Sequence, residues 1–455
     1  MTIVHSAATL DRAIPGPCGS ALLDSQARTE SNARTYPRRL PVAIATAAGS
    51  YITDVDGREY IDFLAGAGVL ALGHGHPELV AAATAQLARF THGLDFPTPI
   101  REEFKQRQLS MLPASMREHT RIHFCGPTGS DAVEAAVKLC KKATGRGGVV
   151  AFQGSYHGSG QGAMSLTSET APKVGLHNLL PGVHFTPFAY CHRCPLALSP
   201  DRCEVRCAGL LDRTLRDTHG GVPLPAAIIL ELVQGEGGAI PAPVEFVQRI
   251  ARTARELDVP LIVDEVQTGC GRTGTWFAFE QYGIEPDVVV ASKGLSGMGL
   301  PVSVILYHSR LDTWEPGSHI GTFRGNNIAF ASGVAFLDVL ERDGVLHNVR
   351  SQGAHLVAEL RTMRAGSRLI DDVRGLGLMI GMEMRGCTGA GASEVASRFQ
   401  REALRRGLIL EVGGREDCVV RLLPPLNLTR PTADAALTVM RDSLRAVESD
   451  LAVRR

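Results

Sequence analysis

Short apolar strands alternate with amphipathic helices between about residue 120 and residue 310, and this alternation limits the chain to a small set of folds. The strand segments are VVAF at 149–152, AIILEL at 227–232, PLIVDE at 260–265, VVVAS at 288–292 and VSVILY at 302–307. Such nearly continuous apolar runs are typical of parallel strands that helices cover on both faces. We therefore predict an α/β domain with a mainly parallel sheet.

The pattern changes on both sides of this region, which predicts a second, smaller α+β domain. YITDVDGREYIDFL alternates around a turn as a β-hairpin does, and HPELVAAATAQLARF has helical spacing. After about residue 330 come a helix, a strand pair around DVRGLGLMIGMEM, a helix, a strand near VVRLLPPL and a last helix. We predict an N-terminal arm at 1–40, disordered over about its first 20 residues, then small-domain residues at 41–85, a large domain at 86–330 and the rest of the small domain at 331–455.

Charge and hydropathy exclude several classes of protein. Forty-seven basic and 47 acidic residues cancel, so no electrostatic reason exists to expect nucleic acid or an anionic membrane as a partner. The N-terminus does not have the layout of a signal peptide, and no stretch approaches the ~20 apolar residues that span a bilayer. We expect a cytoplasmic protein that acts on small molecules.

Asp264 and Lys293 each follow a predicted parallel strand. Open α/β sheets place ligands at the carboxyl ends of their strands, so both side chains should meet there. An amine can hold an aldehyde cofactor as an imine, and a carboxylate can keep a pyridine nitrogen protonated. The pair therefore indicates a Schiff-base enzyme.

Two loops near these strands carry weaker signals. In GPTGSD, a turn leads into a helix that Ser130 or Asp131 can cap, and the N-terminus of that helix suits a phosphate, although most such turns are only caps. Tyr156, in the Tyr156-His157-Gly158 loop after the VVAF strand, could stack on a flat ring or simply pack.

Glu236 in VQGEGG and Arg421 in VVRLLPP form a further candidate pair. A buried arginine suits a substrate carboxylate, and a nearby glutamate could neutralise the arginine when no carboxylate is bound. A structural salt bridge between domains is the alternative interpretation.

From about residue 27 onward the chain resembles the class III aminotransferases of the fold-type I pyridoxal-phosphate superfamily. The motifs that carry this resemblance are DVDGREYIDFLAGAGVLALGHGHP, CGPTGSDAVEAAVKL, GSYHG, ELVQGEGGAIPAP, VDEVQTGCGRTG, ASKG and GTFRGNN. Within the class, ESNARTYPRRLP, CGPTGSDAVEAA and LDTWEPGSHIGTFRGNN are most similar to diaminobutyrate–2-oxoglutarate aminotransferases. The resemblance implies a large domain built on a seven-stranded type of sheet, together with a smaller α+β domain.

The resemblance also implies a role for each candidate side chain at a pyridoxal 5′-phosphate site. The implied set is Lys293 as the imine-forming base, Asp264 at the pyridine nitrogen, Gln267 at the phenolic oxygen, Tyr156 on the ring with His157 beside it, and Gly129 and Ser130 at the phosphate. Thr322 of the partner subunit would also reach the phosphate, so the resemblance implies a homodimer. Arg421 would bind the α-carboxylate of 2-oxoglutarate, and Glu236 would cover Arg421 while the amine donor is bound.

The implied reaction transfers the terminal amino group of L-2,4-diaminobutyrate to 2-oxoglutarate and gives aspartate 4-semialdehyde and glutamate. Ornithine, 4-aminobutyrate or another terminal amine could serve as donor in the same chemistry. A pyridoxal-phosphate racemase or aminomutase shares the fold and the lysine but needs no keto acid. A binding protein that has lost catalysis is a third alternative, which the intact set of Lys293, Asp264 and Gln267 disfavours.

The segment YCHRCPLALSPDRCEVRC departs from the pattern of the diaminobutyrate enzymes. Its four cysteines have a C-x2-C, C-x3-C arrangement and are Cys191, Cys194, Cys203 and Cys207. Such spacing could hold a structural zinc ion, but simple thiols or a disulfide are also open, and we assign no metal ligand.

Overall fold

The computed structural model describes residues 13–453, which form two compact units. One unit combines the chain up to His76 with the chain from Asn348, and the other is Pro77–His347. The unit boundaries therefore lie between residues 76 and 77 and between residues 347 and 348. The sequence prediction placed these boundaries between residues 85 and 86 and between residues 330 and 331. Among the described residues, no helix is both long enough and apolar enough to cross a membrane.

The N-terminal part of the first unit begins with helices rather than an irregular arm. Its elements are α1 (Pro17–Thr29), α2 (Tyr36–Arg39), β1 (Ile44–Ala48), β2 (Tyr51–Asp54) and β3 (Glu59–Asp62). Asp56, in the hairpin turn, accepts hydrogen bonds from the N–H groups of Cys18 (2.9 Å) and Gly19 (2.7 Å) in the first turn of α1. The expected disorder falls mostly on residues 1–12, which lie outside the described residues.

The large unit contains the predicted succession of strands and helices. Its elements are α3 (Pro77–Arg89), α4 (Pro99–Ser110), α5 (Ala114–Arg117), β4 (Thr120–Phe124), α6 (Gly129–Thr144), β5 (Val149–Phe152), α7 (Gln161–Leu166), β6 (Val183–Thr186), α8 (Arg206–Arg216), β7 (Ala227–Leu230), β8 (Val233–Gln234), β9 (Ile240–Pro241), α9 (Val244–Glu256), β10 (Leu261–Asp264), β11 (Val288–Ala291), β12 (Val304–His308) and α10 (Asn327–Arg342). Seven strands form one sheet in the order β4-β12-β11-β10-β7-β5-β6. β12 runs opposite to the other six strands, so the prediction of a mainly parallel sheet is confirmed.

Burial explains which strands could be predicted. Every residue of β5, β7, β10 and β11 is buried, which is why each appears in the sequence as an apolar run. The edge strands β4 and β6 are only partly buried and have polar residues at intermediate positions. Their sequences therefore lack the apolar signal, and neither was predicted as a separate strand.

The C-terminal part of the first unit matches the predicted order of elements. They are α11 (Val345–Gly366, which starts just before the division), β13 (Ile370–Leu376), β14 (Met379–Met384), α12 (Ala392–Arg405), β15 (Leu408–Ile409), β16 (Glu411–Gly413), β17 (Val419–Leu422) and α13 (Arg430–Val453). β13, β14, β17 and β16 form an antiparallel sheet, and β15 pairs with β3 next to the predicted hairpin. The smaller α+β domain is thereby confirmed.

Candidate active site

A cavity of about 540 Å³ lies in the large unit where β10 and the turn after β11 meet the start of α6. Asp264 is the last residue of β10, and Lys293 lies two residues beyond the end of β11, its parallel neighbour. Eight of the ten predicted site residues line this cavity: Gly129, Ser130, Tyr156, His157, Glu236, Asp264, Gln267 and Lys293. The parallel sheet thus gathers side chains that lie far apart in the sequence.

The Asp264 carboxylate is fixed through both of its oxygens. Oδ2 lies 2.7 Å from Nδ1 of His157, and Oδ1 accepts a hydrogen bond from the backbone N–H of Val266 at 3.0 Å. Asp264 and His157 are 4% and 3% exposed, so water competes little for these contacts. The carboxylate therefore has one orientation, which suits a group that must hold a pyridine nitrogen.

Lys293 has an unusual backbone conformation. Its φ angle is +43°, in the left-handed region that residues with a Cβ rarely adopt. It opens a short 3-10 turn, Lys293–Ser296, immediately after Ser292. A non-glycine residue held in this region at the edge of a cavity is a feature of functional sites.

The start of α6 has the geometry of an anion site. Thr128 is the N-cap: its Oγ1 accepts from the N–H of Asp131 at 3.3 Å, and Oδ2 of Asp131 accepts from the N–H of Thr128 at 3.0 Å. The cap is therefore Thr128, and the expectation that Ser130 or Asp131 supplies it was wrong. The remaining first-turn N–H groups have no intrahelical acceptor and can bind an anion.

The loop after β5 approaches this turn closely. Gly158 has a φ angle of +129°, and a Cβ at that position would lie 2.6 Å from both Cβ and Oγ of Ser130. The Oγ of Ser130 also accepts a hydrogen bond from the N–H of Gly160 at 3.2 Å. The two segments form a cradle that a larger residue at position 158 would disrupt.

Glu231 is a cavity residue that sequence reasoning missed. It is one residue beyond β7 and 7% exposed. Burial raises its pKa to about 7; the charge of Asp264 also raises this pKa, whereas His157 lowers it. Its Oε1 accepts from the N–H of Tyr156 at 3.0 Å, and its Oε2 accepts from the N–H of Gly235 at 2.9 Å. The feature of the sequence that could have identified Glu231 is a carboxylate residue directly after a buried strand.

Acidic side chains dominate the described lining of the cavity. Its carboxylates are Asp131, Glu134, Glu231, Glu236 and Asp264, and Lys293 is the one lysine or arginine among the described lining residues. A cavity with this charge distribution attracts cations.

Thr322 and Arg421 are not among the described residues that line the cavity. Thr322 is exposed in a short turn, Thr322–Arg324, of the large unit. Arg421 lies in β17 of the other unit, is 3% exposed, and pairs through Nη2 with Oε1 of Glu411 at 3.0 Å. The structure therefore does not test the prediction that Glu236 covers Arg421 while the amine donor is bound.

The four cysteines of the 190–207 segment lie near one another as free thiols. Burial raises the pKa of the Cys207 thiol to about 11, and the neighbouring Cys191 and Cys203 contribute in the same direction. Among these described thiols, no three sulfur atoms lie within 4.8 Å of one another, as a metal ion would require. A zinc ion would need the thiols to move closer together.

The chain is similar over most of its length to proteins of one enzyme family. Residues 32–444 match the family model for class-III aminotransferases. The diaminobutyrate–2-oxoglutarate aminotransferase of Rhizobium meliloti is 48% identical over 90% of this chain and 90% of its own length. A protein of the same name from Haemophilus influenzae is 40% identical over 94% of this chain and 96% of its own length.

Solved structures show the same fold. An ornithine aminotransferase from Toxoplasma gondii has a TM-score of 0.81 and 26% identity, and the match covers 95% of each chain. A PLP-bound amine transaminase from an uncultivated Pseudomonas species has a TM-score of 0.83 and 27% identity, covering 92% of this chain and 98% of the other. The predicted fold class, fold-type I, is confirmed. With the family model matched over most of its length, the chain belongs to the class-III aminotransferases.

Proposed function

We propose that this chain is a pyridoxal-phosphate-dependent ω-aminotransferase that moves the terminal amino group of L-2,4-diaminobutyrate to 2-oxoglutarate. The products are aspartate 4-semialdehyde and glutamate. The observation that carries the proposal is the meeting of Lys293 with the fixed Asp264 carboxylate in one acidic cavity. The names of relatives that match nearly the whole chain support the same donor and acceptor.

The residues of the cavity fit pyridoxal phosphate. The capped start of α6, with Gly129 and Ser130, would hold the phosphate, and the Ser130–Gly158 cradle leaves room for no extra side chain. Asp264 would bind the pyridine nitrogen, and Lys293 would bind the aldehyde. Gln267 would lie near the phenolic oxygen, and Tyr156 would stack on the ring with His157 behind it.

When bound, the cofactor supplies an electron sink for the carbon that carries the donor's amino group. Lys293, a base while neutral, would take a proton from that carbon. Asp264, held in place by His157, would keep the pyridine nitrogen protonated. Lys293 and Asp264 would serve in the same way when the keto acid is the second substrate, so ping-pong kinetics are expected.

The charge of the cavity supports a diamino acid as donor. L-2,4-Diaminobutyrate has two ammonium groups and one carboxylate at neutral pH, whereas 4-aminobutyrate has one of each. Glu236 and the other lining carboxylates that are not assigned to the cofactor favour the donor with net positive charge. The dianionic acceptor needs a cation in turn, and we assign that role to Arg421, with Glu236 as the group that neutralises it during the donor half-reaction.

An exposed apolar surface supports a homodimer. It is formed by Phe90, Leu94, Phe96, Ile320 and Phe323, of which Ile320 is 75% exposed. The two chain segments that carry it are joined by hydrogen bonds from the N–H of Gly93 to the carbonyl oxygen of Gly325 and from the N–H of Asn327 to that of Thr91, each 3.0 Å. Exposed apolar patches of this kind mark interaction sites. Thr322 lies between Ile320 and Phe323, so a second copy bound here would receive Thr322 at its surface.

The oligomeric state tests this part of the proposal. Phe323→Asp would place a charge in this apolar surface and is expected to shift the protein from dimer to monomer in analytical ultracentrifugation. Val244→Asp is the control, because Val244 is exposed at the first position of α9, where an acidic residue is tolerated. A Phe323→Asp protein that sediments like the wild type would reject this surface as the dimer interface.

The donor half-reaction tests the function. L-2,4-Diaminobutyrate is added to the purified protein without keto acid, and the visible absorbance of the cofactor is followed together with the products by mass spectrometry. Bleaching with one equivalent of aspartate 4-semialdehyde is the expected result. No bleaching would reject diaminobutyrate as donor, and continuous conversion to an isomer would favour a racemase or aminomutase.

A further inference from the structure

Glu231 joins two loops of the candidate site. One loop follows β5 and carries Tyr156, and the other lies between β8 and β9 and carries Gly235 and Glu236. The two oxygens of one carboxylate accept from Tyr156 and Gly235 at 3.0 Å and 2.9 Å. Each loop therefore depends on the same side chain for a backbone hydrogen bond.

The two loops are also packed against each other. Nε2 of Gln234 donates to the carbonyl oxygen of Gln153 at 3.0 Å. A Cβ placed on Gly237 would lie 2.5 Å from the carbonyl oxygen of Gly154, so the backbones of the two loops leave no space for a side chain at this position. The carboxylate of Glu231 thus binds at a junction that leaves little room for independent movement of either loop.

The ionised form of Glu231 suits this junction. Both bonding partners are N–H donors, and a carboxylate can accept from both, whereas a protonated carboxyl group has one oxygen that is a donor. His157 and Asp264 are the charged or titratable groups that act on it: His157 favours the ionised form and Asp264 disfavours it. Protonation should therefore weaken one of the two loop contacts.

We infer that Glu231 is a positioning residue that couples the Tyr156 loop to the Glu236 loop, so that the state of one loop is felt by the other. The inference rests on the proposed function for the roles of Tyr156 and Glu236. Through this coupling, a change of substrate charge at Glu236 would alter how Tyr156 packs on the cofactor ring. A ping-pong enzyme binds a cationic donor and a dianionic acceptor in turn at the same site, and the coupling would let the Tyr156 loop respond to each.

Hydrogen exchange of the backbone amides, measured by mass spectrometry on the full-length protein without and with pyridoxal phosphate, tests the coupling. Glu231→Gln keeps the shape of the side chain but presents one acceptor and one donor to two N–H groups. We expect exchange to be about tenfold faster in both segment 153–158 and segment 233–238, because the inference makes each loop depend on the other through this side chain. Glu231→Asp, whose shorter side chain cannot reach both N–H groups, should give the same result.

Glu265→Gln is the matched control. Glu265 is likewise a buried carboxyl group whose pKa burial raises to about 7, but its hydrogen-bond partners, the hydroxyl of Thr268 and the N–H of Phe279 (2.9 Å), lie outside both loops. Its replacement should speed exchange around 278–282 and leave 153–158 and 233–238 unchanged. The inference is overturned if Glu231→Gln leaves either loop within twofold of the wild type, or if Glu265→Gln affects the two loops as much as Glu231→Gln does.

A pH series tests whether the ionised form of the Glu231 carboxylate protects the two loops. After correction for intrinsic exchange, protection of the loops in the wild type should fall as the pH drops through about 7, and in Glu231→Gln it should not change with pH over that range. Equal pH dependence in both proteins would contradict the role of the carboxylate. The exchange experiment on the cofactor-free protein needs no substrate, so failure of diaminobutyrate as donor would not affect its outcome.

Discussion

Replacing Gly158 with alanine should weaken cofactor binding in addition to destabilising the fold. The added Cβ would lie 2.6 Å from Cβ and Oγ of Ser130, at a backbone φ of +129°. A non-glycine residue in that region costs about 1–3 kcal/mol, and overpacking adds about 1–3 kcal/mol. The loop can relieve this only by moving away from Ser130, which opens the proposed phosphate site. We expect at least tenfold weaker binding of pyridoxal phosphate, equivalent to about 1.4 kcal/mol.

Gly145→Ala, at the other end of α6, is the control for this experiment. Gly145 has a φ of +69°, but a Cβ there would meet nothing within 4 Å. It should therefore have the backbone cost of about 1–2 kcal/mol without a steric clash. The assay is a titration of each apoprotein with pyridoxal phosphate, followed by absorbance, alongside urea denaturation. If the two variants bind the cofactor within a factor of two of each other, the reasoning about the cradle is refuted.

Three further predictions concern the buried polar groups and the lysine. Lys293→Ala should keep the fold and some cofactor binding but lose turnover, and undiminished activity would reject its catalytic role. His157→Leu removes the partner 2.7 Å from Asp264 and should lower the free energy of unfolding by about 1–3 kcal/mol; an unchanged urea midpoint would contradict this. For Glu265, whose pKa rises from 4.5 to about 7 on folding, the folded protein holds a proton that the unfolded chain loses between these values, so stability falls with rising pH. Glu265→Gln should lack that decline, so its stability relative to wild type should improve by about 3 kcal/mol between pH 4.5 and 7 in urea denaturation, and parallel pH profiles would contradict the shift.

Much of the fold could be predicted because burial leaves a direct mark on the sequence. β10 and β11 are apolar at nearly every position, and the residues after them must lie at the same edge of the sheet. This is why Asp264 and Lys293 could be placed together from spacing alone. The edge strands β4 and β6 face water on part of their surface, so their composition does not distinguish them from loops.

The contacts that orient the site could not be predicted, because they join residues with no fixed spacing. Asp264 and His157 are 107 positions apart, and nothing in either segment specifies that Oδ2 faces Nδ1. The same holds for Glu231 and the Tyr156 N–H, and for the pairing of Arg421 with Glu411 across two short strands. Such partners depend on loop conformations that only the packed structure defines.

The left-handed backbone at Lys293 has a consequence for how this protein can be stabilised. A chain selected for stability alone would place glycine there, since glycine avoids a cost of about 1–2 kcal/mol at such a φ angle. Lys293→Gly should then unfold at a higher urea concentration than Lys293→Ala, although neither has the amine. The left-handed conformation and the proposed catalytic amine belong to the same residue, so substitutions that stabilise this protein without loss of activity must be made at other positions.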